Sequence, residues 1–183
     1  MDGRDIRTIP RAELYARFGV AQQNDFLYAD TISENIRFGR DLTQAELEAA
    51  AQIAQGHDFI MAFPEGYNHR LAQKGGNISG GQKQRILIAR ALAARPEILI
   101  LDDSSSALDY KTDANLRAAL RENMSGTTVI TVAQRVSSVK DSDLILVLEE
   151  GKVIGMGKHE DLLASCAEYR EISESQMGGA FVE

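Results

Sequence analysis

Between Asn77 and Asp109 the chain passes through a Gly-rich turn, an apolar helix and a short apolar strand ending on two acids. Few folds accommodate that series. The residues are Asn77-Ile-Ser-Gly-Gly-Gln82, then a run with Ile86, Leu87, Ile88, Ala89 and Leu92, then Ile98-Leu-Ile-Leu101 followed by Asp102-Asp103. Ser79 suits a helix N-cap, because its hydroxyl can accept from the free amides of the first turn. Gly80 and Gly81 are poor helix formers, so their presence is explained by something large approaching the backbone closely. A helix start with bare amides and a partial positive charge binds phosphate readily. Ser79-Gly80-Gly81-Gln82 therefore reads as a phosphate-contacting helix start. Arg95-Pro96 stops the helix, since the residue before proline is pushed out of the helical region. The unbroken apolar run Ile98 to Leu101 is expected of a strand buried on both faces of a parallel sheet. Carboxylates at the C-terminal end of such a strand lie where ligands bind in open α/β sheets. Taken singly, each part has a bland counterpart: a Gly-rich turn, a pair of solvated turn acids. Their order separates them from it.

At this point a family resemblance is plain. Ile78-Ser-Gly-Gly-Gln-Lys-Gln-Arg85 resembles the ABC signature motif, and Ile98 to Asp103 resembles Walker B. Ser104-Ser-Ser-Ala-Leu-Asp109 resembles the D-loop that follows it. The chain is similar to the nucleotide-binding domain of an ABC exporter from near its N-terminus to about Leu163, with the usual C-terminal helices after it. The resemblance implies an α/β fold: a partial RecA-like, P-loop NTPase core of mostly parallel sheet with flanking helices, plus the ABC helical subdomain. It implies the end of the first core segment over 1–24, the helical subdomain over 25–92, and the second half of the core with C-terminal helices over 93–183. ATP and Mg2+ follow as cofactors of the full-length assembly. A second nucleotide-binding domain and the transmembrane domains of an exporter follow as partners, at the cytoplasmic face of the membrane.

The same resemblance assigns roles residue by residue. Ile78, Ser79, Gly80, Gly81 and Gln82 would complete the partner's ATP site, and Asp109 would support contact across the dimer. Asp102 would hold the magnesium's water shell. Gln23 stands at the Q-loop position, near the magnesium, with Gln22 as the candidate if the register shifts by one. Asp103 stands where the family normally places its catalytic glutamate. An aspartate is one carbon–carbon bond shorter, about 1.5 Å, and a misplacement near 1 Å can cost on the order of 100-fold in rate. In Ala133-Gln134-Arg135 a glutamine replaces the histidine typical of the switch segment. Gln134 can bond a phosphate oxygen but cannot act as an acid or base. Gln73 lies just before the signature, where exporters commonly have a glutamate. The departures at Asp103 and Gln134, beside an intact signature, imply the noncatalytic-type subunit of a heterodimer, holding ATP and hydrolysing it slowly.

No Gly-x-x-x-x-Gly-Lys-Ser/Thr phosphate cradle occurs in the sequence. Only 22 residues precede Gln23, fewer than the roughly 30 of a βαβ unit. Met1 is then expected to be an internal methionine of a longer protein or the start of a truncated form. The chain alone is expected to be inactive and to bind no ATP specifically. Alternatives from other classes are a soluble ABC ATPase of translation or DNA maintenance, and a truncated, non-enzymatic interaction protein. The exporter-like segment Phe26 to Arg40 disfavours the first.

The remaining elements are simpler. Arg11 to Arg17 is expected as a short helix or loop before a strand at Phe18 to Ala21, and Asp30 or Thr31 as the cap of a helix with Glu34 in its first turn. Phe26 and Tyr28 are either half-exposed contacts to the membrane domain or core residues. Thr43, with Glu46 as capping-box partner, starts a helix through Gln55 that Gly56 ends. A short helix from His57 stops at Pro64, with His57 at its surface. Thr127 to Val132 is expected as a further buried strand. Leu144 to Leu148 and Lys152 to Met156 form strands about a turn at Glu149-Glu150-Gly151, closing helices cover Lys158 to Leu163 and Glu168 to Ser173, and a frayed tail begins at Gly178-Gly179. At 183 residues and 44% hydrophobic, one good core is expected. A net charge of −7 disfavours a broad nucleic-acid face. The single Cys166 forms no internal disulfide and fits a reducing setting.

Overall fold

A computed structural model describes residues 1–23 and 25–178, without the side chains of 177 and 178. Of the tail expected from Gly178-Gly179, Gly178 is the last residue of the final helix and the rest lies outside the described residues. The chain forms two compact units, Met1–Val132 and Ala133–Glu183.

The first unit is built on a parallel sheet in the order β1 (Phe18–Ala21), β2 (Ile98–Asp102), β3 (Thr128–Val132). Ala21 pairs with Leu101, and Asp102 with Val132, so the three strand ends lie side by side. The helices are α1 (Arg11–Ala16), α2 (Ile32–Arg37), α3 (Gln44–Ile53), α4 (His57–Met61), α5 (Gly80–Leu92) and α6 (Tyr110–Asn123). Caps set their starts. Thr31 accepts from the Glu34 amide at 3.1 Å, which settles the cap of α2. Thr43 and Glu46 form a reciprocal capping box on α3. That helix stops at Ile53, and Gln55 rather than Gly56 takes the left-handed turn (φ 59°).

The amphipathic helix α5 organises the core. Ile86, Leu87 and Ile88 are fully buried among α2, α3, β1 and β2, together with Ile32, Ile36, Leu47 and Leu99. Gly19 on β1 makes this packing possible. A Cβ there would stand 2.5 Å from the Ala91 carbonyl oxygen and 2.8 Å from Pro96 Cγ.

The expectation of strands buried on both faces is corrected. Side chains alternate across a strand, and α5 covers only the face bearing Gly19, Ala21, Leu99 and Leu101. On the other face Ile98 and Ile100 are half-buried. Val20, Ile130 and Val132 are 41%, 47% and 53% exposed. β3 is an edge strand, which leaves even Val129 exposed. His57 is half-buried rather than a plain surface residue, with Nδ1 2.9 Å from the Tyr67 hydroxyl. Burial raises the Tyr67 pKa.

The second unit holds α7 (Val136–Val139), an antiparallel hairpin of β4 (Ile145–Glu149) and β5 (Lys152–Gly157), then α8 (His159–Ser165) and α9 (Ala167–Gly178). The hairpin turns on Glu150 and Gly151, both at positive φ, the geometry that matches strand twist in two-residue turns. Val136, Ile145, Leu162, Cys166 and Tyr169 form its small core. Leu146, Leu148, Val153 and Met156 are exposed on the opposite side.

Candidate functional site

The start of α5 is built as its sequence implies. Ser79 is extended (φ −70°, ψ 159°) and its hydroxyl accepts from the Gln82 amide at 3.2 Å. The Ser79 amide in turn donates to Gln82 Oε1 at 2.9 Å. This reciprocal box fixes the first turn and leaves the Ser79 hydroxyl proton available to donate. The amides of Gly80 and Gly81 find no acceptor among the described residues. Space at Gly80 is open, since a Cβ there would meet nothing within 4 Å. Gly81 differs. Its missing Cβ would lie 3.1 Å from the Ala107 carbonyl oxygen, so its close neighbour is the chain's own Ser104–Asp109 loop. Upstream, Asn77 holds the approach to Ser79: Oδ1 accepts from the Ala72 amide at 2.8 Å and Nδ2 donates to the Arg70 carbonyl at 3.1 Å. Ile78 is half-buried, and Gln73 lies exposed in a single helical turn.

The strand ends bring a second group together. Asp102 closes β2 and is exposed, whereas Asp103 is buried. The Gln23 side-chain amide, just past the end of β1, donates to Asp103 Oδ2 at 2.6 Å. The Asp103 amide donates to the Val132 carbonyl at 2.9 Å, and its carbonyl accepts from the Ser106 hydroxyl at 2.9 Å. Its backbone is left-handed (φ 45°), a region aspartate tolerates better than most residues. The loop then runs to Asp109, which caps α6 by accepting from the Thr112 amide at 2.9 Å and the Thr112 hydroxyl at 2.7 Å. These bonds, the backbone one foremost, hold the Asp109 carboxyl below its usual range. Gln134 belongs to the second unit, where its carbonyl accepts from Gln176 Nε2 at 2.8 Å.

The residues fit a nucleotide with its metal. Unpaired helix-start amides suit phosphate oxygens. Magnesium brought by phosphates needs only one or two protein carboxylates, and the exposed Asp102 at the strand end could supply one. No cluster of three or more acidic, His or Cys ligands occurs among the described residues.

One feature lay beyond the sequence reading. Arg90 on α5 is only 5% exposed. Its Nε donates to the Asn35 carbonyl at 2.8 Å, Nη2 to Asn35 Oδ1 at 3.0 Å and Nη1 to the Phe26 carbonyl at 3.1 Å. Asp25 lies 3.6 Å away. The guanidinium stands 4.6 Å from the Phe38 ring centre and 5.7 Å from that of Tyr28. Burial lowers its pKa, with Asp25 opposing. The visible signal was an arginine inside an otherwise apolar helical run. Of the two readings for Phe26 and Tyr28, exposure holds: they and Phe38 form an aromatic cluster, each 48% exposed.

A parallel sheet with acids at its strand ends and a helix start open to phosphate is the architecture of nucleotide-binding α/β domains. A family model described as ABC transporter matches residues 1–106. The chain is 44% identical over 177 residues to the uncharacterized ABC transporter ATP-binding protein YfiC of Bacillus subtilis, covering 96% of this chain and 29% of that protein. It is 42% identical over 179 residues to human ATP-binding cassette sub-family B member 6, covering 97% of this chain and 21% of that one. A solved bacterial Atm1-family ABC exporter with ATP bound superposes with a TM-score of 0.91 at 41% identity, over 96% of this chain and 31% of that one. The chain belongs to the ABC transporter family, with the ATP-binding fold of its exporters. It spans less than a third of each of these relatives.

Proposed function

We propose that this chain is the ATP-binding part of an ABC exporter in which the start of α5 completes the ATP site of a second nucleotide-binding domain. In the full-length subunit, with a phosphate cradle supplied outside this chain, the site at the strand ends holds ATP and hydrolyses it slowly. Such domains pair head to tail, here as a heterodimer, at the cytoplasmic face of the membrane. ATP with magnesium supplies the phosphoanhydride bond and much of the charge neutralisation. The chain's residues supply the rest. Ser79 donates its hydroxyl proton, and the Gly80 and Gly81 amides add their dipoles at the helix start, where growing negative charge on a γ-phosphate is stabilised. Asp102 holds the metal's water shell. Gln134 orients a phosphate oxygen without exchanging a proton. Asp109 serves the dimer contact through the loop it anchors. The cluster Phe26, Tyr28 and Phe38 presents its rings to a coupling helix of the membrane domains.

The observation that carries this reading is the contrast in hydrogen bonding. The helix-start amides are left open, whereas the Asp103 carboxylate is short, buried and tied to Gln23. A base that must reach a water is poorly served by that tether and by the missing carbon. Asp103→Glu with Gln134→His in the full-length assembly should raise turnover at this subunit's own site by roughly tenfold or more. Unchanged single-site hydrolysis contradicts the assignment.

A further inference from the structure

The segment after Gln23 and the aromatic surface it carries are both held by one buried cation on α5. Helix α5 rises 1.5 Å per residue, so Arg90 stands roughly 15 Å along the axis from Gly80. At that far end its planar fork binds two stretches of chain at once: the Phe26 carbonyl of the loop after β1, and the carbonyl and side chain of Asn35 on α2. Asn35 returns to the same loop, accepting from the Tyr28 amide at 2.8 Å and donating to the Tyr28 carbonyl at 3.1 Å. Two of the three exposed rings, Tyr28 and Phe38, lie against the guanidinium. The same loop begins beside Gln23, which holds Asp103. Beside the apolar packing of Ile32 and Ile36 against α5 and the Arg40 bond to the Arg90 carbonyl, Arg90 is the α5 side chain that hydrogen-bonds both the loop and α2 while lying against the aromatic surface.

We propose that Arg90 is a positioning residue that transmits displacement of the Phe26–Tyr28–Phe38 surface to the signature end of α5, and so couples the membrane domains to the ATP site. This rests on the docking reading given for that surface. A guanidinium is needed for a physical reason. Three donors in one plane bridge two backbone segments while the faces of the ion stay against the rings, whereas an ammonium offers a point charge with neither the fork nor the stack. Within the low dielectric of the core, an unpaired carbonyl is costly, so the loop and α2 follow the fork together.

The test compares Arg90→Lys with the parent in the full-length transporter reconstituted in liposomes. Substrate molecules moved per ATP hydrolysed should fall about tenfold, while the KM for ATP stays within about twofold. A structural role alone would lower both activities together and leave that ratio unmoved, which overturns the proposal. Should Arg90→Lys fail to fold, Asp25→Asn keeps the carbonyl bonds and loosens the fork from its acidic neighbour; its ratio should fall by about threefold, and an unchanged ratio counts against the coupling. Phe38→Ala separates the two layers. Normal transport in Phe38→Ala contradicts the docking reading and the coupling with it. Impaired transport in Phe38→Ala alongside an unchanged ratio in Arg90→Lys overturns the coupling alone.

Discussion

The start of α5 and the end of β2, to which the proposed function assigns the two halves of the phosphate chemistry, are built to different degrees. At Ser79 every local bond serves to hold the first turn still while the next two amides stay open. At Asp103 the carboxylate is buried, its backbone is left-handed and one oxygen is engaged by Gln23. A helix start needs only rigidity to bind phosphate, because the donors are already in the backbone. A strand-end acid needs reach as well, and reach depends on side-chain length. On the proposed function, that difference makes the chain competent toward a partner's nucleotide and poor toward its own.

Four changes break or sharpen that contrast, taken in order of effect. Ser79→Arg removes the cap and puts bulk and charge over Gly80, so turnover at the partner's site should fall on the order of 100-fold or more; unaltered transport would argue against a role in trans. Restoring Glu at 103 and His at 134 should move the other site in the opposite direction, by less. Gly19→Ala tests the scaffold beneath both. Its methyl would meet the Ala91 carbonyl oxygen at 2.5 Å, and thermal unfolding should show a loss of roughly 1–3 kcal/mol. Asp109→Ala is the mildest. The folded-state pKa of Asp109 lies below its ordinary 3.8, chiefly through the Thr112 amide. Its stabilisation is therefore complete above that value and fades as pH falls through the lower folded one. Melts of the parent should lose a small increment there, and Asp109→Ala should lose it at neutral pH and lack that acid dependence.

Much of this was legible in the sequence because it is local. Ser79 and Thr43 announce helix starts by residue type, and Ile98 to Asp102 announces a strand by its apolar run and terminal acid. Non-local facts were not legible. Which face of β3 is covered depends on where α5 lies, and residues 127–132 carry no mark of it. The role of Gly81 needed the Ala107 carbonyl, far along the chain, to be placed beside it. Arg90 was hidden for the same reason: its partners are Phe26 and Asn35, on segments that only folding brings together. The contact between Gln23 and Asp103 follows from β1 and β2 being neighbours in register.

The most direct test is the structure of the full-length assembly with nucleotide trapped at both sites. The Ser79 hydroxyl and the Gly81 amide should lie within hydrogen-bond reach, about 3 Å, of the γ-phosphate held by the other subunit. Those groups pointing into solvent, or resting only against their own chain with every phosphate out of reach, would contradict the assignment.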